Sequence, residues 1–138
     1  MKKILIGMII VFGTLVFVGC SGDISKDEKV GYIEGVEFDE IYFAYKENEI
    51  RADDTYKNNR YRITASVNAI STGGLLNLTG GATLTMEKQV GETLVFFYAE
   101  FEKEQEESLK LINVGDVITF EGECLSAGSW TDCKIITP

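Results

Sequence analysis

The hydrophobic pattern of the chain passes through three regimes. Ile4 to Val18 is an apolar run interrupted only by Gly7, Gly13 and Thr14. Farther on, Phe38, Ile41, Tyr42, Tyr45, Ala52 and Tyr56 recur at spacings of three and four, with Glu49 as the polar exception. That spacing predicts an amphipathic helix over 38–56, with a break near Asn48. Asp39 and Glu40 fall in its first turn, where the helix dipole favours acids. After Lys57-Asn58-Asn59 the period becomes two. Tyr61, Ile63, Ala65, Val67 and Ala69 alternate with Arg60, Arg62, Thr64, Ser66 and Asn68, which predicts a half-buried strand over 60–70.

The remainder reads as strands separated by glycine-bearing turns. Ser71 to Gly81 holds four glycines and no charge and predicts a loop. A second strand is predicted over 82–88, with Ala82, Leu84 and Met86 on one face, followed by a turn at 89–92. The third, Thr93 to Phe101, is apolar on both faces. Its adjacent aromatics Phe96, Phe97 and Tyr98 must point both ways, and are read as mostly core, with one facing a covering helix. A short helix follows over 102–113, with Leu109 and Ile112 as its buried stripe. Strands over 117–124 and 130–136 complete the series.

A short helix between strands three and four of five antiparallel strands is the plan of the OB-fold, a small Greek-key barrel. The fold class predicted for 37–138 is therefore mainly β: an OB-fold-like barrel with an added N-terminal helix. A small α+β roll is the competing architecture.

Composition narrows the chemistry. The chain has 138 residues, 13 basic and 22 acidic side chains, net charge −9, no histidine, one proline and three cysteines. Its length fits one folded domain. Absence of imidazole excludes Ser-His-Asp and Cys-His nucleophile systems and histidine-liganded zinc. The acidic balance argues against a dedicated duplex nucleic-acid binder, which needs clustered Lys and Arg.

The first regime then reads as a secretory signal. Lys2 and Lys3 precede an h-region of about 15 residues, shorter than a permanent span of roughly 20. Phe17-Val18-Gly19-Cys20 resembles a bacterial lipobox, whose cysteine takes a diacylglyceryl thioether and becomes the new N-terminus. An uncleaved membrane helix is the alternative. This gives residues 1–19 as signal peptide, Cys20 as the lipidation site, 20–36 as a tether and 37–138 as the domain. The mature chain would keep 11 basic and 22 acidic residues. It would be anchored by lipid to a bacterial membrane on the extracytoplasmic side. The remaining cysteines, Cys124 and Cys133, read first as a disulfide in an exported chain, and otherwise as two buried free thiols.

Two runs of residues carry a family resemblance. One comprises Asn48-Glu49, Ala52-Asp53, Tyr56-Lys57 and Tyr61-Arg62-Ile63-Thr64 with Val67 and Ile70. The other comprises Leu111, Gly115-Asp116, Val117-Ile118-Thr119-Phe120, Gly122, Cys124 and Asp132-Cys133-Lys134-Ile135. Together they resemble the tRNA_anti-like family over about 48–136, with Ala65 standing where that family commonly has glycine. The resemblance implies an OB-fold, kinship with anticodon-binding domains, and a place among bacterial lipoproteins of unknown function.

OB-folds bind through strands two and three and the loops joining strands 1–2 and 4–5. In this chain those loops are uncharged. They offer Asn77, Thr79, Ser126 and Ser129, with Trp130 at the rim as core residue or stacking platform. Strands two and three hold one base, Lys88, against Glu87, Glu92 and Glu100. A neutral glycan or a protein partner therefore suits the face better than a polyanion. Arg60 and Arg62 read as a solvated strand face, and would be the contacts if a polynucleotide did bind. Asn48, Glu49 and Asp53 lack the dense calcium-loop pattern and read as helix capping. The acids at 100, 102, 104, 106 and 107 read as a solvated face. No metal, no cofactor and no catalytic residue is expected. The expected function is a binding module rather than an enzyme; single-stranded nucleic-acid binding is the alternative, and nucleic acid is the less favoured partner.

Overall fold

A computed structural model describes residues 31–72 and 81–137. The signal segment, Cys20, Asn77 and Thr79 lie outside the described residues. The elements are α1 (Phe38–Glu47), α2 (Glu49–Tyr56), β1 (Arg60–Thr72), β2 (Ala82–Val90), β3 (Thr93–Phe101), a 3-10 turn (Lys103–Gln105), α3 (Glu106–Leu109), β4 (Val117–Ser126) and β5 (Ser129–Thr137). The strands close into a barrel in the order β1-β2-β3-β5-β4, and β4 returns to β1. Every pairing is antiparallel except β3 with β5. This is the predicted OB-like barrel, with the N-terminal helical segment and the short helix between β3 and β4 in place.

Asn48 breaks the N-terminal helix by serving both halves. Its backbone N–H donates to the Ala44 carbonyl, ending α1, and its side chain accepts from the Arg51 N–H at 3.1 Å, starting α2. That is the capping role expected of it. Tyr45 then holds the two helices together, donating to Asp53 at 2.9 Å. β1 is long enough to serve two neighbours because it bends. Residues 60–66 pair with β4 and residues 66–72 with β2, and the register slips at Asn68. A bulge of this kind increases local twist. Ala65 stays in regular pairing with Ile118.

Both helical segments bury side chains in the barrel core. Phe38 and Ile41 of α1 are fully buried, with the Phe38 ring 4.5 Å from that of Phe97 and 6.2 Å from that of Trp130. Leu109 and Ile112 are buried in the same core, where β3 ends and β4 approaches. Each such side chain removed from water contributes about 1.5–3 kcal/mol. Among the described residues no helix is long and apolar enough to cross a membrane.

The folded part reaches back before Phe38. The Ile33 N–H donates to the Arg60 carbonyl at 2.8 Å, the Tyr32 ring lies 4.0 Å from the Arg62 guanidinium, and Val36 packs on the core. The end of the segment read as tether is thus fixed along β1.

The expected Cys124–Cys133 disulfide is not formed; both thiols are free and buried. The reason is register. In the β4–β5 ladder Cys124 stands opposite Trp130, while Cys133 lies over Gly122, where an added Cβ would come 2.8 Å from its sulfur. The two side chains occupy different levels of the barrel, and a disulfide needs Cβ atoms roughly 3.5–4.5 Å apart. Burial pushes the Cys124 thiol up to about 11, and raises Cys133 as well.

Candidate functional site

β3 carries the feature that stands out. Val95, Phe97, Ala99 and Phe101 alternate inward and are buried. Leu94, Phe96 and Tyr98 alternate outward and are 49, 52 and 57% exposed. Both sets are apolar, so the strand needs cover on two sides, and among the described residues only the inner side has it. The expectation that Phe96 and Tyr98 are mostly core is therefore corrected: of the three adjacent aromatics only Phe97 is.

The neighbouring strands define the surroundings of this stripe. On β2, Gln89 pairs with Leu94, Glu87 with Phe96, Thr85 with Tyr98 and Thr83 with Glu100. On the other side, the Tyr98 N–H donates to the Gly128 carbonyl at 3.0 Å, and Ser129 stands beside Tyr98 in the β3–β5 pairing. The β4–β5 hairpin thus seats Ser129 beside Tyr98, with Ser126 one strand farther on, opposite Ser129; both serines are half-buried. Of the two predicted serines, Ser129 borders the face. Trp130 does not. It is 0% exposed and donates its indole N–H to the Ala127 carbonyl at 3.2 Å, which makes it a core residue and not a platform.

Charge on the face is negative. Glu87 accepts from the Asn68 amide at 3.0 Å, and among the described residues neither Glu87 nor Glu100 forms an ion pair. Lys88 points into the seam between β1 and β2 and donates to the Thr64 carbonyl at 3.2 Å. That seam opens because β1–β2 pairing stops at Ser66 and Glu87. Beside it, the 32–38 segment and β1 enclose a groove of about 410 Å³, lined by Tyr32 to Phe38, Arg62 to Thr64 and Lys88. Its acids and bases are mixed, and its arginine is engaged.

Of the two arginines read as a solvated strand face, Arg62 is exposed and Arg60 is buried. Arg60 is 8% exposed and bonds Asp132, while Arg62 donates to Glu121 at 2.7 Å, which holds its guanidinium more firmly protonated. Both guanidinium groups are paired with carboxylates. Lys110 pairs with Glu107 at 2.7 Å and Glu106 at 3.6 Å, as the solvated-face reading of that acidic run implies. Among the described residues no group of three or more His, Cys, Asp and Glu side chains is placed to hold a metal.

The outward aromatics were legible only as parity. Once Val95 and Phe97 point inward, Leu94, Phe96 and Tyr98 must point outward, and the sequence does not say what lies over them.

No protein-family model matches the chain, the tRNA_anti-like family included, and no curated protein matches it in sequence. Among solved structures the chain is similar to a Klebsiella pneumoniae protein described as a "putative nucleic acid-binding lipoprotein". The identity is 14% and the TM-score 0.60, over 71% of this chain and 87% of the other. The likeness establishes the barrel fold.

Proposed function

We propose that the protein is a bacterial lipoprotein, held by lipid on Cys20 at the extracytoplasmic side of a membrane, whose OB-like barrel is a binding module rather than an enzyme. The observation that carries the binding reading is the exposed Leu94, Phe96 and Tyr98 stripe on the outer surface of β2 and β3. This is the face through which OB-folds engage ligands. Its hydroxyls and carboxylates, with no free cation on it among the described residues, suit a neutral glycan or a protein partner. The test is binding by the full chain in detergent to neutral oligosaccharides and peptides, with and without Phe96→Ala and Tyr98→Ala. Loss of binding in the variants supports the module; binding indifferent to both sinks it. Anchoring is tested by intact mass of the membrane fraction, where an unacylated Cys20 overturns it.

A second reading is single-stranded nucleic-acid binding. It is favoured by the description of the Klebsiella protein and by the two aromatics, since bases stack on such rings. It is weakened by Glu87 and Glu100 beside those rings and by the ion pairs that occupy Arg60 and Arg62. Sub-micromolar affinity for oligonucleotides at physiological salt would promote it.

A further inference from the structure

We propose that the outer face of β3 docks a basic, extended segment of a protein partner, an inference that rests on the binding-module reading and names its ligand. Three observations carry it. The first is the repeat of the stripe. Leu94, Phe96 and Tyr98 are alternate residues of one strand, so their side chains rise at intervals of roughly 7 Å. An extended peptide presents its own side chains at the same interval.

The second is charge. Glu87 stands directly across from Phe96, and Glu100 follows Tyr98 on the same face. Neither has a basic partner among the described residues, and Glu92 lies exposed at the Leu94 end. Aromatic rings flanked by carboxylates attract Arg and Lys twice, through the ring faces and through the ion pair.

The third is how the bases among the described residues are used. Arg51, Lys57, Arg60, Arg62 and Lys110 are in ion pairs, Lys46 lies over Tyr42, and Lys88 is turned into the seam. Lys103 and Lys134 are exposed, but they follow Phe101 and Cys133, past the end of the stripe. With a net charge of −9, the molecule draws cations from a distance and offers them aromatic rings at one face.

The experiment uses the full chain in a non-ionic detergent. Three fluorescein-labelled decapeptides serve as probes: one alternating Arg and Gly, one alternating Glu and Gly, and one of Ser and Gly. Anisotropy titrations are run on the wild type, Glu87→Gln/Glu100→Gln, Phe96→Ala/Tyr98→Ala, and Asp54→Asn/Glu104→Gln as a control of equal charge change away from the face. The expected result is binding of the Arg peptide alone, weakening with added salt. The face carboxylate pair and the aromatic pair should each weaken it at least about fivefold, while the control pair changes it less than about twofold. Equal weakening by the control pair would mean a diffuse field and overturn the proposal, as would failure of the Arg peptide to bind. If the Arg peptide fails while a neutral oligosaccharide or an oligonucleotide binds in a Phe96- and Tyr98-dependent way, the basic-partner inference falls and the binding module stands. If no probe depends on Phe96 and Tyr98, both fall.

Discussion

Arg60 and Asp132 tie the first strand to the last. The guanidinium spans from β1 across β4 to β5, donating to the Asp132 carboxylate at 2.5 Å and to the Asp132 main-chain carbonyl at 2.9 Å. Asp132 meets it only because its backbone is left-handed, with φ of 46°, at a register slip of β5. Aspartate tolerates that conformation better than most residues.

The pair is asymmetric in burial, and its variants should be too. The Arg60 side chain is 9% exposed and that of Asp132 40%. Removing the acid strands a buried cation, whereas removing the arginine leaves an acid that water can reach. Asp132→Asn, which keeps the backbone preference, should cost about 2–4 kcal/mol, and Arg60→Met distinctly less. Urea unfolding midpoints decide the order; equal losses would show that the pair contributes through packing alone.

The two thiols should behave as buried, unlinked groups. Mass mapping without reductant should find both free, and a thiol reagent should react only once the chain unfolds. Alkali should then weaken the fold. The Cys124 thiol is raised by burial from 9.0 to about 11, so the folded state keeps a proton that the unfolded state loses. Its contribution is fully present below pH 9 and is lost as pH rises towards 11. Cys133 and Tyr45, raised in the same sense by desolvation, add to the trend. A flat stability profile between pH 8.5 and 10.5, read by denaturant titration, would contradict this.

Gly122 is small for a reason of contact, not of backbone freedom. A Cβ there would sit 2.8 Å from the Cys133 sulfur and 3.4 Å from the Phe120 ring. Gly122→Ala should therefore cost about 1–3 kcal/mol by overpacking. Adding Cys133→Ala should return part of that loss, since it removes the atom that is struck. A double-mutant cycle with no coupling between the two positions would refute the contact as the cause.

Much of the barrel was legible because local pattern and global fold agree. Alternation over 60–70 marked the first strand, Asn48 marked the helix break, and helix placement between the third and fourth strands indicated topology. What was not legible depends on register. Cys124 and Cys133 looked like a bridged pair until slips in β4–β5 set them at different levels. Arg60 looked solvated because nothing in the chain announces that Asp132 turns left-handed to meet it. Trp130 was legible as core residue or platform, and the structure settles it as core, with the Phe38 and Tyr61 rings 6.2 and 6.1 Å away. Phe96 and Tyr98 looked like core because a strand apolar on both faces is normally covered on both.

That last difference sets up a stability contrast along three consecutive residues. Phe97 is fully buried, 4.5 Å from the Phe38 ring and 6.5 Å from that of Phe120. Phe97→Ala should open a cavity and cost about 3–5 kcal/mol. Phe96 and Tyr98 are half exposed, so truncation to alanine removes little buried area and leaves no cavity. Each should cost less than about 1 kcal/mol, most of it β-propensity and cross-strand packing on Glu87 and Thr85. The double variant should unfold nearly as the wild type does, while being less prone to self-associate, because two exposed aromatic rings on one face are gone. Urea melts of the three single variants, with light scattering of the double one, test this. A Phe96→Ala or Tyr98→Ala loss as large as that of Phe97→Ala would mean that the outer face is covered in solution, and would remove the surface on which the binding proposal stands.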